Sequence, residues 1–278
     1  VEQHLGYKLP LSSLFQAPTV ALFAALVKKD EKPLALKNLA LIQKEGNKPP
    51  LFCVHGDEAN HHITRYLGKG QPYYAFFHQG EDGAAFEHKT VEAIAKHYVA
   101  EMTSVQPEGP YMLGGYSFGG IVAYEMACQL KAAGHDVPLL ALFDMPIPKH
   151  FIESMDDDAK FYQPLKRTVM RWLVQLELRR GKIRSLKLRH FHIIDNYDKA
   201  ILAYRPKPYS GPVTIFKAER TPGPDDMGWS TLVTGPLDIK VLPGDHYSLI
   251  KDPEVVRLVK ELSVSIDRAV GKHAVEAV

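Results

Sequence analysis

An excess of charge of either sign is absent from this sequence: across 278 residues, 34 Lys and Arg stand against 32 Asp and Glu. The resulting net charge of +2 gives no electrostatic case for nucleic acid as a partner. Cysteine is scarce as well. Cys53 and Cys128 sit among apolar neighbours at a spacing that suits neither a metal site nor a redox pair. Free, buried thiols and a reducing, cytoplasmic setting are therefore expected. No apolar run approaches the roughly 20 residues that a bilayer requires; the longest, Val20–Val27, excludes a spanning helix. A secretory leader, an internal repeat and a low-complexity tract are all missing, and Val1 reads as the start of a piece cut from something longer. Apolar residues, in contrast, are plentiful. At 45% of the chain they can fill the core of one large domain with a small appendage.

The N-terminal stretch Leu5–Val27 reads as a turn followed by a helix, with Pro18 in its first turn and Val20, Leu22, Phe23, Leu26 and Val27 on an apolar face. The charged, aperiodic Lys28–Pro33 marks a linker. From Asn38 onward, short β-branched and aromatic runs alternate with helical stretches. Strands are expected at Leu39–Ile42, Leu51–His55, Tyr73–Phe77, Tyr111–Gly114, Leu139–Phe143, Val213–Lys217 and Ile239–Leu242. Helices are expected at Val91–Thr103, Gly120–Ala133 and Pro253–Ala269. This alternation implies an α/β fold with a mostly parallel sheet and helices on both faces. Gly46 and Pro49 suggest a hairpin joining the first two strands. Residues 149–207 break the alternation with two helical stretches, Asp158–Leu178 and Leu186–Tyr204, as an active-site cover or extra subdomain would.

The sharpest chemical signal is Gly115-Tyr116-Ser117-Phe118-Gly119-Gly120, between an apolar strand and an amphipathic helix. That is the setting of the G-x-S-x-G elbow, whose glycines let a tight strand-to-helix turn present a serine at the rim of an α/β-hydrolase sheet. Ser117 is the expected nucleophile, with the Phe118 N–H as an oxyanion donor at the helix N-terminus. A serine needs a base. Gly244-Asp245-His246 follows the last strand and precedes the closing helix, so His246 is expected to be that base. His61, His62, His190 and His192 lack carboxylates at ligand spacing, so no metal is expected. Asp144, ending the strand Leu139–Phe143, is favoured as the acid that orients the imidazole. Asp225 and Asp226 stay in contention and Asp245 is a weaker rival. A second oxyanion donor is expected two residues past the second strand, at the Asp57 N–H.

These residues resemble the thioesterase domains that end nonribosomal peptide and polyketide assembly lines. The resemblance is carried by Gly114–Gly120 running on through Ala123-Tyr124-Glu125-Met126-Ala127. Leu139–Phe143 with Asp144, Gly228-Trp229 and Pro243-Gly244-Asp245-His246 add to it. It spans Pro50 to Ile266 apart from the helical insertion. Leu9-Pro10-Leu11-Ser12-Ser13-Leu14-Phe15-Gln16-Ala17-Pro18-Thr19 is similar to the end of an acyl or peptidyl carrier domain, without the serine that bears phosphopantetheine. The resemblance implies a carrier remnant at 1–28, a linker at 29–37 and a thioesterase domain at 38–278 with a lid at about 149–207.

By the same resemblance, Ser117 takes an acyl, peptidyl or polyketide chain from the phosphopantetheine of an upstream carrier in the same megasynthase. His246 then activates water or an internal nucleophile. No cofactor is implied in the domain itself. Related editing thioesterases carry their acid one strand later, which keeps Asp225 and Asp226 open. An editing enzyme, a general serine esterase and a non-catalytic module are the competing expectations. The lid adds one more: an apolar centre, Thr168–Leu178, to cover the acyl chain, and a basic rim for the carrier or its phosphate. That rim comprises Lys166, Arg167, Arg179, Arg180, Lys182, Arg184, Lys187 and Arg189.

Overall fold

The computed structural model describes residues 36–55, 57–149 and 164–276, together with Val20 and Ala24. The carrier-like segment, nearly all of the linker and the start of the Asp158–Leu178 helix lie outside the described residues. Seven strands form one sheet: β1 (Leu39–Gln43), β2 (Leu51–Val54), β3 (Tyr73–Phe76), β4 (Met112–Tyr116), β5 (Leu139–Phe143), β6 (Val213–Ala218) and β7 (Leu237–Leu242). Their order is β1-β3-β2-β4-β5-β6-β7, and every pair is parallel except β1 with β3.

Alternation along the strands explains the two-faced core. Phe52 and Val54 point to one side with Leu113, Leu140 and Leu142. Leu51 and Cys53 point to the other with Met112, Ala141 and Phe143. On the first side pack helices α2 (Val91–Val105) and α3 (Phe118–Ala132); on the second, α1 (Asp57–Leu67) and α6 (Glu254–Glu276). Thr90 caps α2 by accepting the Ala93 N–H at 3.2 Å. Both cysteines are free, and burial pushes each thiol up to about 12, so neither competes as a nucleophile.

Two expectations are corrected. Leu39–Gln43 makes no hairpin with Leu51–Val54; it crosses over and pairs with β3, Leu39 facing Phe76. Gly46 answers a different demand: a Cβ there would lie 2.2 Å from the Gly70 carbonyl oxygen, so its φ of +121° serves a close backbone crossing. Helix α1 was not expected at all. Among its described side chains the buried ones are Ala59, Asn60 and Ile63, too little apolar surface to register as a helical period.

The insertion forms α4 (Pro164–Arg179) and α5 (Leu186–Ala203), with Ser185 capping α5. Val174, Ile183 and Leu188 make a small core between them. Arg171 grips Asp195 at 2.6 Å, and Lys199 reaches the same carboxylate at 2.7 Å. These cations lower the Asp195 carboxyl against the opposing cost of its burial. The turn between the helices is tied to the loop after β3. There the Ile183 N–H donates to the Gly83 carbonyl at 2.7 Å, and Arg189 donates to the Glu81 carbonyl at 2.7 Å.

Candidate active site

Ser117 stands between β4 and α3 with φ +53° and ψ −131°, a conformation that costs a non-glycine residue energy. The flanking glycines explain how the chain can turn there. A Cβ on Gly115 would fall 2.3 Å from the Gly119 carbonyl oxygen, and one on Gly119 would fall 2.0 Å from that of Val54. No side chain fits either place, so the elbow is wedged between its own helix and β2. Ser117 donates its N–H to the Phe143 carbonyl at 3.2 Å and accepts the Gly120 N–H at 2.8 Å. The serine is thereby held at the carboxyl rim of the parallel strands.

Asp144 leaves the end of β5, next to β4, with φ +48° and only 1% of its surface exposed. Its Oδ1 accepts the Ala218 N–H at 2.7 Å, while Oδ2 accepts the Thr221 hydroxyl at 2.7 Å and the His246 Nδ1–H at 2.9 Å. A carboxylate can only accept, so Nδ1 of His246 carries the ring proton and Nε2 keeps a lone pair. The loop beyond Asp144 is pinned by fully buried Trp229, whose indole donates to the Met145 carbonyl at 2.7 Å. His246 lies beside the strand that leads into Ser117, its ring stacked on Tyr116 with centroids 4.8 Å apart. The Ser117 hydroxyl itself makes no hydrogen bond among the described residues. The serine–imidazole link is open here, and such links commonly tighten only when substrate binds.

The rival carboxylates are engaged elsewhere. Asp225, 68% exposed, pairs with Lys217 at 3.5 Å. Asp226 accepts the Gly228 N–H at 3.1 Å and the Ser230 hydroxyl, closing the turn before Trp229. Asp245 caps its own loop through the Tyr247 and Ser248 N–H groups and meets Arg220 at 3.0 Å; these bonds hold its carboxyl down at about 2. Phe118 and Asp57 begin α3 and α1, which start at the ends of neighbouring strands β4 and β2. Two helix N-termini at adjacent strand ends concentrate N–H groups and positive dipole charge at one place on the rim.

Sequence reasoning missed an aromatic cluster over the elbow. His55, at φ +55° after β2, is buried; it stacks on Phe118 and Tyr197, and His78 lies tilted against it. Burial first, then the neighbouring His78, hold its imidazole well below the ordinary histidine range. His55 is therefore neutral, its Nε2 meeting the Tyr98 hydroxyl at 3.0 Å and its Nδ1 without a hydrogen-bond partner among the described residues. Tyr197 comes from α5 and reaches His78 Nδ1 at 2.9 Å. Nothing near Tyr197 in the sequence marks it out, because its partners His55, His78 and Phe118 all lie far earlier in the chain, the nearest of them 79 residues away.

The lid differs from expectation in how it uses its residues. Much of the apolar surface of α4 is spent on α5, with Val174, Leu173 and Leu178 inside the lid, while Trp172 is 63% exposed. Contact with the elbow comes from α5 through Tyr197. Of the basic rim, Arg167 pairs with Asp198 and Arg189 is bound to backbone carbonyls. Arg179, Arg180, Arg184 and Lys187 are exposed and have no ion pair among the described residues.

A family model described as a thioesterase domain matches residues 49–263. Malpibaldin synthetase of Mortierella alpina is 28% identical, over 97% of this chain and 5% of its own length. The dimodular nonribosomal peptide synthase of Bacillus subtilis (strain 168) is 28% identical, over 96% of this chain and 12% of its own. The chain thus spans a small part of the curated relatives it matches. Among solved structures, the four-domain nonribosomal peptide synthetase holo-AB3403, bound to AMP and glycine, superposes with a TM-score of 0.65 at 25% identity. That match covers 94% of this chain and 22% of the synthetase. The NocB thioesterase domain from the nocardicin cluster superposes with a TM-score of 0.61 at 25% identity, covering 84% of this chain and 99% of its own.

Proposed function

This chain belongs to the thioesterase domain family, and from that premise we propose that it releases an acyl, peptidyl or polyketide chain from a phosphopantetheine carrier by way of an ester on Ser117. The observation that carries the reading is the 2.9 Å bond between Asp144 and His246 beside a strained serine. His246 Nε2 takes the Ser117 proton as Oγ attacks the thioester carbonyl. The Asp144 carboxylate keeps the imidazole in the useful tautomer and stabilises the imidazolium that forms. The N–H groups of Phe118 and Asp57 meet the oxyanion. The pantetheine thiol leaves with the proton from His246. Water, or a nucleophile within the acyl chain, then attacks the ester with His246 again as base, giving an acid or a ring.

The carrier partner is supported by the relatives. Their alignments cover 97% and 96% of this chain, which takes in sequence ahead of residue 49, and both relatives are synthetases many times longer. We read 1–28 as the end of an upstream carrier in the same polypeptide and 29–37 as the linker to the thioesterase domain. Arg179, Arg180, Arg184 and Lys187 at the lid turn, exposed and without an ion pair among the described residues, form the surface that receives the acidic carrier or its phosphate. The domain binds no cofactor of its own in this scheme. A cytoplasmic setting accords with the free cysteines, and no described helix is long and apolar enough to cross a membrane.

Incubating the protein with a panel of acyl-pantetheine thioesters and oxygen esters tests the reading. Strong thioester preference with an acyl adduct on Ser117, seen by mass spectrometry, is the expected result. Equal rates on both ester types point instead to a general esterase, and no adduct under any condition rejects the enzymatic reading.

A further inference from the structure

The residue before Ser117 makes two contacts with His246 that the proposed steps do not use. Tyr116 ends β4, and its ring lies nearly parallel to the His246 imidazole, with planes 20° apart and centroids at 4.8 Å. Its hydroxyl donates to the His246 backbone carbonyl at 2.7 Å. We infer that Tyr116 is the positioning residue of the base, docking the His246 loop onto the nucleophile's own strand and giving the imidazolium a π face. This rests on the reading that His246 is the base.

The mechanical need is visible in the geometry. Asp144 holds the ring at one atom, Nδ1, and a single hydrogen bond leaves the imidazole free to swing about that axis. A ring stacked on its face removes that freedom, while the carbonyl bond fixes the backbone that delivers it. Strand alternation places Tyr116 on the same side of β4 as Met112, the side covered by α6, and α6 follows the His246 loop. The contact therefore joins two segments 130 residues apart across one strand end. Burial first, then Asp144, Tyr247 and Asp245, raise the Tyr116 phenol above its ordinary range, so it remains a donor at working pH.

The electrostatic need follows from the reaction. When Ser117 gives up its proton the imidazole becomes a cation, and the face of an electron-rich ring stabilises a cation stacked on it. Among the described residues, the other charged or titratable groups about His246 are Asp144 from the end of β5 and, on its own loop, Asp245 and Tyr247, with Arg220 bound to Asp245.

The test compares wild type, Tyr116→Phe and Tyr116→Leu on one small acyl-pantetheine thioester across pH, after fluorophosphonate labelling of Ser117 in each. Tyr116→Phe keeps the stack and loses the hydrogen bond; kcat should fall about threefold with KM unchanged. Tyr116→Leu loses both; kcat should fall about thirtyfold, again with KM unchanged. Its acid limb of kcat/KM should also move to lower pH, since the imidazolium has lost its stacked face, and Tyr116→Phe should restore the limb to the wild-type position. Unfolding midpoints of both variants close to wild type separate these effects from misfolding. Labelled Ser117 with identical pH limbs in all three proteins, or a loss confined to KM, overturns the positioning role alone. Failure of wild-type Ser117 to label overturns the underlying reading and this inference together.

Discussion

Tyr197 of the lid helix stacks on Phe118 of the elbow with ring centroids 3.9 Å apart and planes 13° apart. The lid thus rests on the residue whose N–H is proposed to meet the oxyanion, and both rings are buried. Removing the lid ring with Tyr197→Ala should cost about 3 kcal/mol of unfolding free energy, as large-to-small aromatic changes do in packed sites. Tyr197→Phe, which keeps the stack and loses the bond to His78, should cost about 1 kcal/mol. Urea titration of the three proteins checks this, and equal stability of all three would mean that the lid contact holds nothing.

Asp144 is proposed as the acid because it is the carboxylate in contact with His246, and two substitutions separate the candidates. Asp144→Asn should lower kcat on a small thioester about 10³- to 10⁴-fold, because an amide can favour the wrong imidazole tautomer. Asp225→Asn should leave kcat unchanged and lower the melting temperature modestly, since buried Lys217 loses its exposed partner. The reverse pattern would move the acid to the loop after β6.

Acid should destabilise the fold in a defined window. His55 is held below its unfolded value of 6.5, so the unfolded chain binds more protons below that pH and stability falls as pH drops. His97 and His192, lowered chiefly by burial, act in the same direction. The contribution is fully present above about pH 6.5 and diminishes down to the folded-state value of each group. His55→Asn, whose side chain tolerates the positive φ, should flatten part of this slope. Comparing urea midpoints at several pH values on either side of that window measures it; an unaltered slope in the variant would exclude His55 as a source.

The lid turn should matter for a protein-borne substrate alone. Reversing Arg179, Arg180 and Arg184 to Glu should slow off-loading from an intact carrier about tenfold at low salt and leave a small acyl-pantetheine unaffected. Rising ionic strength should shrink the difference. Equal losses on both substrates would refute a docking role.

Much of the architecture was legible because strands buried on both faces leave short apolar runs, such as Leu139–Phe143, that stand out from amphipathic helices. Helix α1 was not, since Ala59 and Ile63 give it too thin an apolar stripe. The hairpin reading failed at Gly46 because a glycine demanded by a distant backbone contact looks the same in sequence as one demanded by a turn. The site divides in the same way. Ser117 is announced by glycines next to it, and His246 by its place after the last strand. His55, Tyr197 and the stacking role of Tyr116 have no local mark.

Taken alone, the order of residues determined that strands and helices would alternate, that Gly115 and Gly119 would bracket a sharp turn, and that Ser117, Asp144 and His246 would follow strand ends. These are local matters of sterics and periodicity, written within a few neighbours. Which carboxylate meets the imidazole, and which lid ring lies on the elbow, were decided only in three dimensions. Asp144, Asp225 and Asp226 all follow strand ends, and the choice among them depends on how β5, β6 and the His246 loop converge, a distance that no stretch of neighbouring residues encodes.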